Sequence, residues 1–416
     1  MKRLLKVTAM TGLLTLVKMV MGFVIAKVVA VYTGPSGMAL LGQVQSLVNG
    51  FNGVINSPVN NGIIRYTSEN KEYGFNACSP WWKASFQWVM LLCLIMIPLG
   101  LIFSESISEW IFGNADYKWI VSAVIICLPF TAIGTLITSV INGQQLYRRY
   151  VALGMASAII SGLLMIVMII YADLNGALLA ATIQSAIVGI ILLLSSLRQP
   201  WIRLKYWWGR TGNKERKDIG GYILMAMATA LTLPISLILI RNILVDHVGW
   251  IVTGQWQAVW KISEVYLGVI TMALGVYFLP RLSTIDSATE IKNEINNTAI
   301  VIIPIVTLLA VLVYLTRDIA ISILFTKEFS PARDLFFIQL LGDVVKVASW
   351  LYAYPMLSRK ATKWFVGTEV IFSISWVVFT LIFVSKIGVH GANYAYLFNY
   401  ILYFLFVFCN VKRFSR

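Results

Sequence analysis

Long apolar segments recur from one end of this chain to the other. Of its 416 residues, 59% are hydrophobic and 12% are charged, whereas charged residues make up about 25% of an ordinary soluble domain. A transmembrane helix needs about 20 mostly apolar residues, so the chain has room for roughly a dozen spans with short connections. The composition therefore excludes soluble and disordered proteins and predicts an all-α polytopic membrane protein.

Hydropathy and loop residues together predict twelve transmembrane helices. An even number of spans places both termini on the same side of the membrane, and cytoplasmic loops carry an excess of Lys and Arg. Assigning both termini to the cytoplasm puts most of the 33 cationic residues on that side. The predicted spans cover residues 5–31, 38–64, 82–103, 118–142, 149–171, 175–197, 219–245, 251–279, 297–316, 334–357, 363–384 and 389–410.

A basic connection separates the sixth predicted helix from the seventh. Its seven cations are Arg198, Arg203, Lys205, Arg210, Lys214, Arg216 and Lys217. Positive charge in a membrane protein reports topology, so the net charge of +15 does not indicate nucleic-acid binding. We expect an N-terminal six-helix lobe at residues 1–197, a cytoplasmic linker at 198–218 and a C-terminal six-helix lobe at 219–416.

An internal repeat supports this division. The sequence Gly-Gln-Val-Gln at residues 42–45 recurs as Gly-Gln-Trp-Gln at residues 254–257, an offset of 212 positions. At nearly the same offset, residues 107–112 align with residues 319–325. Six helices per repeat make the two halves parallel, a design typical of some alternating-access transporters.

Polar residues form a stripe along the second predicted helix. At 100° per residue, its members lie within about 80° of one another. They are Gln45, Asn49, Asn52, Asn56 and Asn60. One or two polar residues suffice to hold helices together, but five in register would leave several amides unsatisfied in a dry interface. We interpret the stripe as the lining of a hydrated cavity suited to a ligand rich in hydroxyl groups.

Pairs of an acid and a lysine occur inside two of the predicted spans. The repeat offset carries the polar stripe onto Gln257, Lys261 and Glu264 in the eighth helix, and Asp343 and Lys346 lie in the tenth. An ionised side chain at the bilayer centre costs about 2.5–3.5 kcal/mol and needs a partner or water. Each acid–lysine pair is either a structural salt bridge within its helix or a pair that a proton, a cation or an anionic substrate opens.

The first predicted helix contains a lysine of a different kind. Lys18 has no acidic residue within four positions, and it shares a helix face with Thr11 and Thr15. We therefore predict that Lys18 is a ligand for an anion. Arg65 and Arg281 lie at predicted cytoplasmic helix ends, where they either contact headgroups or guide a lipid phosphate inward.

Several function classes lack the residues that they require. The chain has no P-loop sequence for ATP, and no predicted loop is long enough to form a soluble catalytic domain. The cysteines show no CxxC spacing, so neither a disulfide framework nor a metal site is indicated. They are Cys78, Cys93, Cys127 and Cys409. We predict a transporter that is not an enzyme and has no cofactor.

Short segments with a recognisable pattern occur along the whole chain. They are Leu-Val-Lys at 16–18, Gly-Pro-Ser-Gly at 34–37, Phe-Gly-Asn-Ala-Asp-Tyr at 112–117, Gln-Trp-Gln at 255–257, Ile-Ser-Glu at 262–264, Leu-Pro-Arg-Leu-Ser at 279–283, Arg-Asp at 317–318, Arg-Asp-Leu-Phe at 333–336 and Gly-Asp-Val-Val-Lys-Val at 342–347. These segments resemble the Wzx group of oligosaccharide-lipid flippases, which includes O-antigen translocases and lipid III flippases. The resemblance places the chain in the multidrug/oligosaccharidyl-lipid/polysaccharide (MOP) superfamily. One position departs from the family pattern, since Glu264 stands where aspartate is expected.

The resemblance implies a fold and a substrate. It implies two six-helix lobes around a central cavity, and alternating access in the bacterial inner membrane. The substrate would be undecaprenyl pyrophosphate carrying an oligosaccharide of the O-antigen or enterobacterial-common-antigen type, moved from the cytoplasmic to the periplasmic leaflet. Implied partners are inner-membrane lipids and the O-antigen polymerase machinery, and one bundle suffices as the transport unit. A multidrug exporter of the MATE type and a peptidoglycan lipid II flippase are the alternatives.

This hypothesis assigns roles to three groups of residues. The pyrophosphate ligands would be Lys18, Lys261, Arg65 and Arg281. The glycan ligands would be Gln45, Asn49, Asn52, Asn56 and Gln257. The coupling or gating residues would be Glu264, Asp343 and Lys346.

Overall fold

The fold consists of long helices joined by short connections. The computed structural model describes residues 2–278, 281–282, 284–285, 287–359 and 361–414, so Leu279, Pro280 and Ser283 of the Leu-Pro-Arg-Leu-Ser sequence lie outside the described residues. The α-helices are α1 (Lys2–Asn56), α2 (Asn60–Asn70), α3 (Phe75–Ile102), α4 (Ser104–Phe112), α5 (Lys118–Gly143), α6 (Tyr147–Ser196), α7 (Asn213–Ala273), α8 (Ala288–Leu324), α9 (Phe336–Ser358), α10 (Thr362–Ile387) and α11 (His390–Phe414).

Short helical turns occupy much of the remaining chain. The 3-10 turns are Lys71–Tyr73, Ala115–Tyr117, Pro200–Ile202, Leu204–Tyr206 and Lys327–Leu335, and a π-helical turn covers Leu274–Phe278. No β-strand occurs in the part of the chain that the structure describes. The predicted all-α fold is confirmed.

Nine helices in the described part of the chain are long and apolar enough to cross a membrane. Three of them, in α1, α6 and α7, are 48, 50 and 60 residues long, whereas one crossing needs about 20 residues. Each of the three is interrupted by non-helical backbone, at Gly34, at Ala172 and Asp173, and at Gly249. Each is therefore long enough for two spans joined at the break, which is consistent with twelve spans.

The helix breaks repeat along the chain. Gly34 (φ 63°, ψ −168°) and Gly249 (φ 80°, ψ 170°) have nearly the same backbone conformation. Asp173 (φ 44°, ψ −125°) and Gly388 (φ 62°, ψ −144°) form a second matched pair. The partners are 215 positions apart in each pair. Positive φ favours glycine, so this conformation costs free energy at Asp173, which is not a glycine. The matching breaks support the internal repeat at the level of the backbone.

Two glutamines of the repeated sequence have equivalent contacts. Gln43 donates its amide N–H to the backbone oxygen of Ile111 at 3.0 Å. Gln255, its counterpart at the offset of 212, donates to the backbone oxygen of Glu328 at 2.9 Å. In each half, a buried glutamine thus donates to a backbone carbonyl just before a later helix, α5 in the first half and α9 in the second. A buried carbonyl left without a donor would cost free energy.

The second predicted span is interrupted near its end. Helix α1 ends at Asn56 and α2 begins at Asn60. Pro58 has no N–H to donate to the backbone oxygen of Val54, which instead accepts from the Ser57 amide at 3.2 Å and the Ser57 hydroxyl at 2.7 Å. The expectation that Asn60 continues the stripe on one uninterrupted helix is therefore wrong, and the stripe ends at Asn56.

The chain forms two compact units. The N-terminal unit comprises Met1–Tyr32 and Gln43–Ile235, and the C-terminal unit comprises Thr33–Gly42 and Ser236–Arg416. The C-terminal unit thus includes a ten-residue piece of α1, and the N-terminal unit includes the basic connection and the first part of α7. The lobe boundaries inferred from the repeat stay a prediction.

Each unit has its own apolar core. In the N-terminal unit, Ile55, Trp82, Leu128 and Ile137 belong to one buried cluster. In the C-terminal unit, the buried cluster includes Phe278, Ile295, Val347, Leu351 and Val407. Apolar side chains gain little by leaving lipid for a protein interior, so helices in a membrane are held together by close packing and polar contacts.

Glycines allow two helices of the N-terminal unit to approach each other closely. A Cβ added to Gly189 of α6 would lie 2.0 Å from the backbone oxygen of Phe130, and one added to Gly134 of α5 would lie 2.6 Å from the Cα of Gly189. Neither backbone could move aside without separating the helices. Small residues at such contacts are typical of membrane helices.

Candidate functional site

A buried carboxylate lies in the C-terminal unit. Asp343 of α9 is fully buried, and the Tyr266 hydroxyl of α7 donates to its Oδ2 at 2.5 Å. The Tyr396 hydroxyl of α11 donates to Oδ1 at 2.8 Å, and Gln339 Nε2 lies 3.3 Å from the same oxygen. Asn393 in turn donates to Gln339 Oε1 at 3.0 Å. Donors from three helices therefore converge on one acidic group, and hydrogen bonds to a charged acceptor are the stronger ones.

A buried lysine lies one helical turn beyond this carboxylate. Lys346 is 7% exposed, and aromatic rings surround its ammonium group at distances typical of cation–π interactions. The ring centroids lie 5.1–5.3 Å from Nζ and belong to Trp260, Trp350, Tyr396 and Tyr400. The Tyr396 ring thus contacts the lysine while its hydroxyl binds Asp343.

The two acid–lysine pairs of the sequence behave differently. Lys261 and Glu264 form the expected salt bridge within α7, with Nζ 3.2 Å from Oε2. Asp343 and Lys346, both among the described residues, form no ion pair within 4.0 Å. Of the two interpretations of this pair, the structural salt bridge is not seen in this structure, in which phenol and amide donors contact the carboxylate and aromatic rings surround the ammonium group.

Gln257 contacts a buried arginine instead of facing an open surface. Arg241 of α7 is 2% exposed, and its Nε donates to Gln257 Oε1 at 2.8 Å. Gly42 lies against both, since an added Cβ would come within 2.9 Å of Arg241 Nε. The glycan-binding role of Gln257 stays a prediction. The sequence analysis did not single out Arg241. The signal was the same as for Lys18, a cationic residue inside an apolar helix.

The candidate anion ligand of the N-terminal unit is accessible. Lys18 is exposed on α1, and its ammonium group forms no hydrogen bond or ion pair with another described residue. On the same face, the Thr15 hydroxyl donates to the backbone oxygen of Thr11 at 3.0 Å. Lys18 therefore presents an uncompensated charge on a membrane-spanning helix.

The amide stripe has a similar character. Gln45 and Asn52 are half-buried and Asn49 is exposed. Asn56 is 9% exposed, and its buried Oδ1 has no hydrogen-bond partner in the described part of the chain. The other three side chains likewise form no hydrogen bond with a described residue. These side chains therefore form no hydrogen bond between helices in the described part of the chain, and the amides of Gln45, Asn49 and Asn52 are accessible to a ligand or water.

The two surface arginines of the hypothesis are paired with acids. Arg65 Nε lies 2.8 Å from Glu69 Oε1, and its guanidinium group lies 5.5 Å from the ring centroid of Tyr66. Arg281 Nε lies 3.4 Å from Glu294 Oε1. Exposed ion pairs contribute little stability and open easily. Among the described residues, no group of three or more His, Cys, Asp or Glu side chains is arranged to hold a metal ion.

Comparison with known structures shows which class of protein has this fold. An inward-facing multidrug resistance MATE family transporter of the MOP superfamily matches with a TM-score of 0.70 and 12% identity, covering 96% of this chain and 95% of that one. The lipid II flippase MurJ in an inward closed conformation also matches with a TM-score of 0.70, at 14% identity, covering 96% of this chain and 87% of that one. The fold is that of the MOP superfamily of membrane transporters.

Sequence comparison identifies the family. Residues 4–286 match the polysaccharide biosynthesis protein family, and the chain belongs to it. The lipid III flippases of Escherichia coli (strain K12) and Shigella flexneri are each 29% identical to it over 406 residues, which cover 96% of this chain and 96% of theirs. The family resemblance seen in the sequence is confirmed.

Proposed function

We propose that this protein is a flippase for lipid-linked oligosaccharides. It would move a polyprenyl pyrophosphate carrying an oligosaccharide of the enterobacterial-common-antigen or O-antigen type from the cytoplasmic to the periplasmic leaflet of the inner membrane. The observation that carries this proposal is the similarity to lipid III flippases over 96% of both chains. The MOP fold supports transport by alternating access.

The charge of Lys18 supports an anionic substrate. A lysine exposed on a membrane-spanning helix, without an acidic partner, costs free energy unless an anion or water compensates it. A pyrophosphate would supply that compensation through charge-assisted hydrogen bonds, which are strong where water is scarce. We therefore assign Lys18 to the pyrophosphate in the N-terminal unit. In the C-terminal unit, Lys261 is a second candidate once its bond to Glu264 opens, and Arg65 and Arg281 are candidates for first contact at the surface.

The amide stripe supports a carbohydrate ligand. Each Asn or Gln side chain offers an oxygen that accepts and an NH₂ group that donates, and sugar hydroxyls do both. The four amides from Gln45 to Asn56 have no protein partner among the described residues, so binding a glycan would break no internal hydrogen bond. We assign this face to the oligosaccharide.

The cluster around Asp343 supports a coupling role. Its carboxylate and the Lys346 ammonium are buried close together, but donors and rings from α7, α9 and α11 hold them separately. Any relative movement of these helices would change the partners of both charges at once. We assign Asp343 and Lys346 to coupling or gating, as residues whose contacts change between conformations. Glu264 would free Lys261 for the substrate when their salt bridge opens.

The proposal is tested by deleting the gene in its host. Surface polysaccharide and lipid-linked repeat units are then measured. We expect surface polysaccharide to disappear while lipid-linked repeat units accumulate on the cytoplasmic leaflet, and we expect the gene to restore surface antigen to an Escherichia coli strain that lacks its lipid III flippase. Intact surface polysaccharide with increased drug sensitivity would overturn the proposal in favour of a multidrug exporter.

A further inference from the structure

The basic connection between α6 and α7 is folded onto the N-terminal unit. We call residues 198–217, which comprise this connection and the first five residues of α7, the basic segment. Four hydrogen bonds from side chains to backbone oxygens link α3 to the segment. Ser79, Gln87 and Trp88 of α3 donate to the backbone oxygens of Tyr206, Gly209 and Arg216 at 2.8, 2.9 and 3.2 Å. Thr211 of the segment donates to the backbone oxygen of Pro80 at 2.9 Å. The segment is thus held at several points along its length and is not a free linker.

Aromatic packing fixes the inner face of the segment. Trp201 and Tyr206 are buried. The ring of Trp207 stacks on that of Trp82 with centroids 5.2 Å apart and planes 18° apart, and Tyr206 meets Trp82 edge-on at 6.5 Å. The Trp207 indole also donates to the backbone oxygen of Trp201 at 2.9 Å. The inner face is therefore a rigid aromatic anchor.

The outer face combines exposed cations with exposed apolar side chains, of which Trp208 also packs edge-on against the Phe86 ring. Arg203, Lys205 and Arg210 are exposed. Between them, Leu204 is 70% exposed and Trp208 is 58% exposed. Neither arginine forms an ion pair with any residue that the structure describes, and the Lys205 ammonium group contacts only the Tyr206 ring, at 4.7 Å. The anchored inner face therefore holds three uncompensated charges in place beside two apolar side chains.

Such a surface fits the headgroup layer of a bilayer. The segment joins two helices that are apolar enough to span a membrane, so it lies at a membrane surface. Tryptophan is enriched at the headgroup level, and clustered Lys and Arg next to a span attract anionic lipids. In bulk water, the apolar side chains of Leu204 and Trp208 would stay exposed. A soluble phosphate could bind the cations but would not bury these two side chains.

We propose that Arg203, Lys205 and Arg210 form a binding surface for anionic phospholipid headgroups, with Leu204 and Trp208 inserted beside them. The occupant is a bilayer lipid such as phosphatidylglycerol. The proposal is independent of the transported substrate, because none of these residues belongs to the proposed transport site.

The test uses the full-length protein in lipid nanodiscs of phosphatidylcholine with and without phosphatidylglycerol. Lipids retained on the protein after release are identified by native mass spectrometry. We expect wild-type protein to retain phosphatidylglycerol, and R203Q/K205Q/R210Q to retain about tenfold less. The matched control K386Q/K412Q/R413Q removes three exposed cations elsewhere in the chain and should retain as much as wild type.

Further outcomes separate the proposal from its rivals. L204A/W208A keeps every charge and should also lower retention, whereas inorganic pyrophosphate should not displace the lipid. Equal retention by wild type and R203Q/K205Q/R210Q, or equal loss in the control, would overturn the proposal. Displacement by pyrophosphate would overturn it in favour of a free phosphate site. Size-exclusion profiles and thermal unfolding confirm that each variant is folded.

Discussion

Lys18 and Asp343 show two ways in which a charged side chain is accommodated in a membrane helix. Asp343 is fully buried and receives hydrogen bonds from Tyr266 and Tyr396. Lys18 is exposed and has no partner among the described residues. Removing a buried charge leaves its hydrogen-bond donors unpaired, which is costly, whereas an exposed charge without a partner is available to a ligand. We therefore expect substitutions at the two sites to have different effects.

Lys18→Ala should strongly reduce transport without affecting the fold. Removing one charge-assisted hydrogen bond to the pyrophosphate costs about 1.5–3 kcal/mol, so we expect surface glycan to fall by about tenfold or more. The measurement is surface polysaccharide in a deletion strain that expresses the variant, with membrane-protein level as the control. Lys18→Arg keeps the charge and should retain most of the activity. Normal glycan with Lys18→Ala would show that this lysine does not bind the substrate.

Asp343→Ala should lower stability. It leaves the buried hydroxyls of Tyr266 and Tyr396 without their acceptor, at about 1–3 kcal/mol for each unpaired group. Thermal unfolding of the purified protein in detergent should show a clearly lower Tm, and Asp343→Asn, which keeps one oxygen acceptor, should lie between wild type and Asp343→Ala. Asp246→Ala is the matched control because Asp246 is exposed. An unchanged Tm in Asp343→Ala would contradict a structural role for this hydrogen-bonded cluster.

Sequence reasoning identified part of the candidate site. A charged residue in an apolar helix is conspicuous, which is why Lys18, Asp343 and Lys346 were found, and spacing within one helix correctly indicated the salt bridge of Lys261 with Glu264. Tyrosines such as Tyr266 and Tyr396 carry no comparable signal, because tyrosine is expected near the interfacial ends of membrane helices. Their role depends on which helices pack together.

At the scale of helices, close packing and local breaks decide the shape of each element. Helix α1 ends where Pro58 removes a donor, and the positive φ of Gly34 and Gly249 interrupts two helices that are otherwise continuous. In α5 and α6, Gly134 and Gly189 bring two backbones into contact. Substitutions of glycine should therefore be tolerated or harmful according to the space around each one.

Gly189→Ala should destabilise the packing of α5 against α6. The new Cβ would lie 2.0 Å from the backbone oxygen of Phe130, so the helices must separate, and overpacking of this kind costs about 1–3 kcal/mol. Thermal unfolding in detergent measures the loss. Gly22→Ala is the control, because an added Cβ there meets nothing within 4 Å and Gly22 also lies in a membrane helix. Equal Tm values for the two variants would contradict the packing argument.

At the scale of the whole molecule, repetition is the main feature. Matched backbone breaks and the paired contacts of Gln43 and Gln255 occur in both halves of the chain. Nine apolar helices, three of them long enough to cross twice, are consistent with twelve spans in the described part of the chain. An even number of spans places both termini on the same side of the membrane.

Both termini should face the cytoplasm. The excess of Lys and Arg in the predicted cytoplasmic loops sets this orientation. Green fluorescent protein fused to the C-terminus should fluoresce, and alkaline phosphatase fused at the same position should be inactive. A phosphatase fusion in the loop between the first two predicted spans should be active and serves as the control. An active C-terminal phosphatase would contradict the orientation or the even number of spans.

The sequence by itself determined that this protein is a helical membrane protein with an internal repeat. Long apolar segments must satisfy their own backbone groups in lipid, and helices do so without tertiary contacts. Only the tertiary structure decided the partners of the buried charges. Asp343 is three residues from Lys346, yet it binds phenols from residues 77 and 53 positions away. In an apolar interior, a carboxylate binds the donors that helix packing brings within reach, and spacing along one helix does not reveal them.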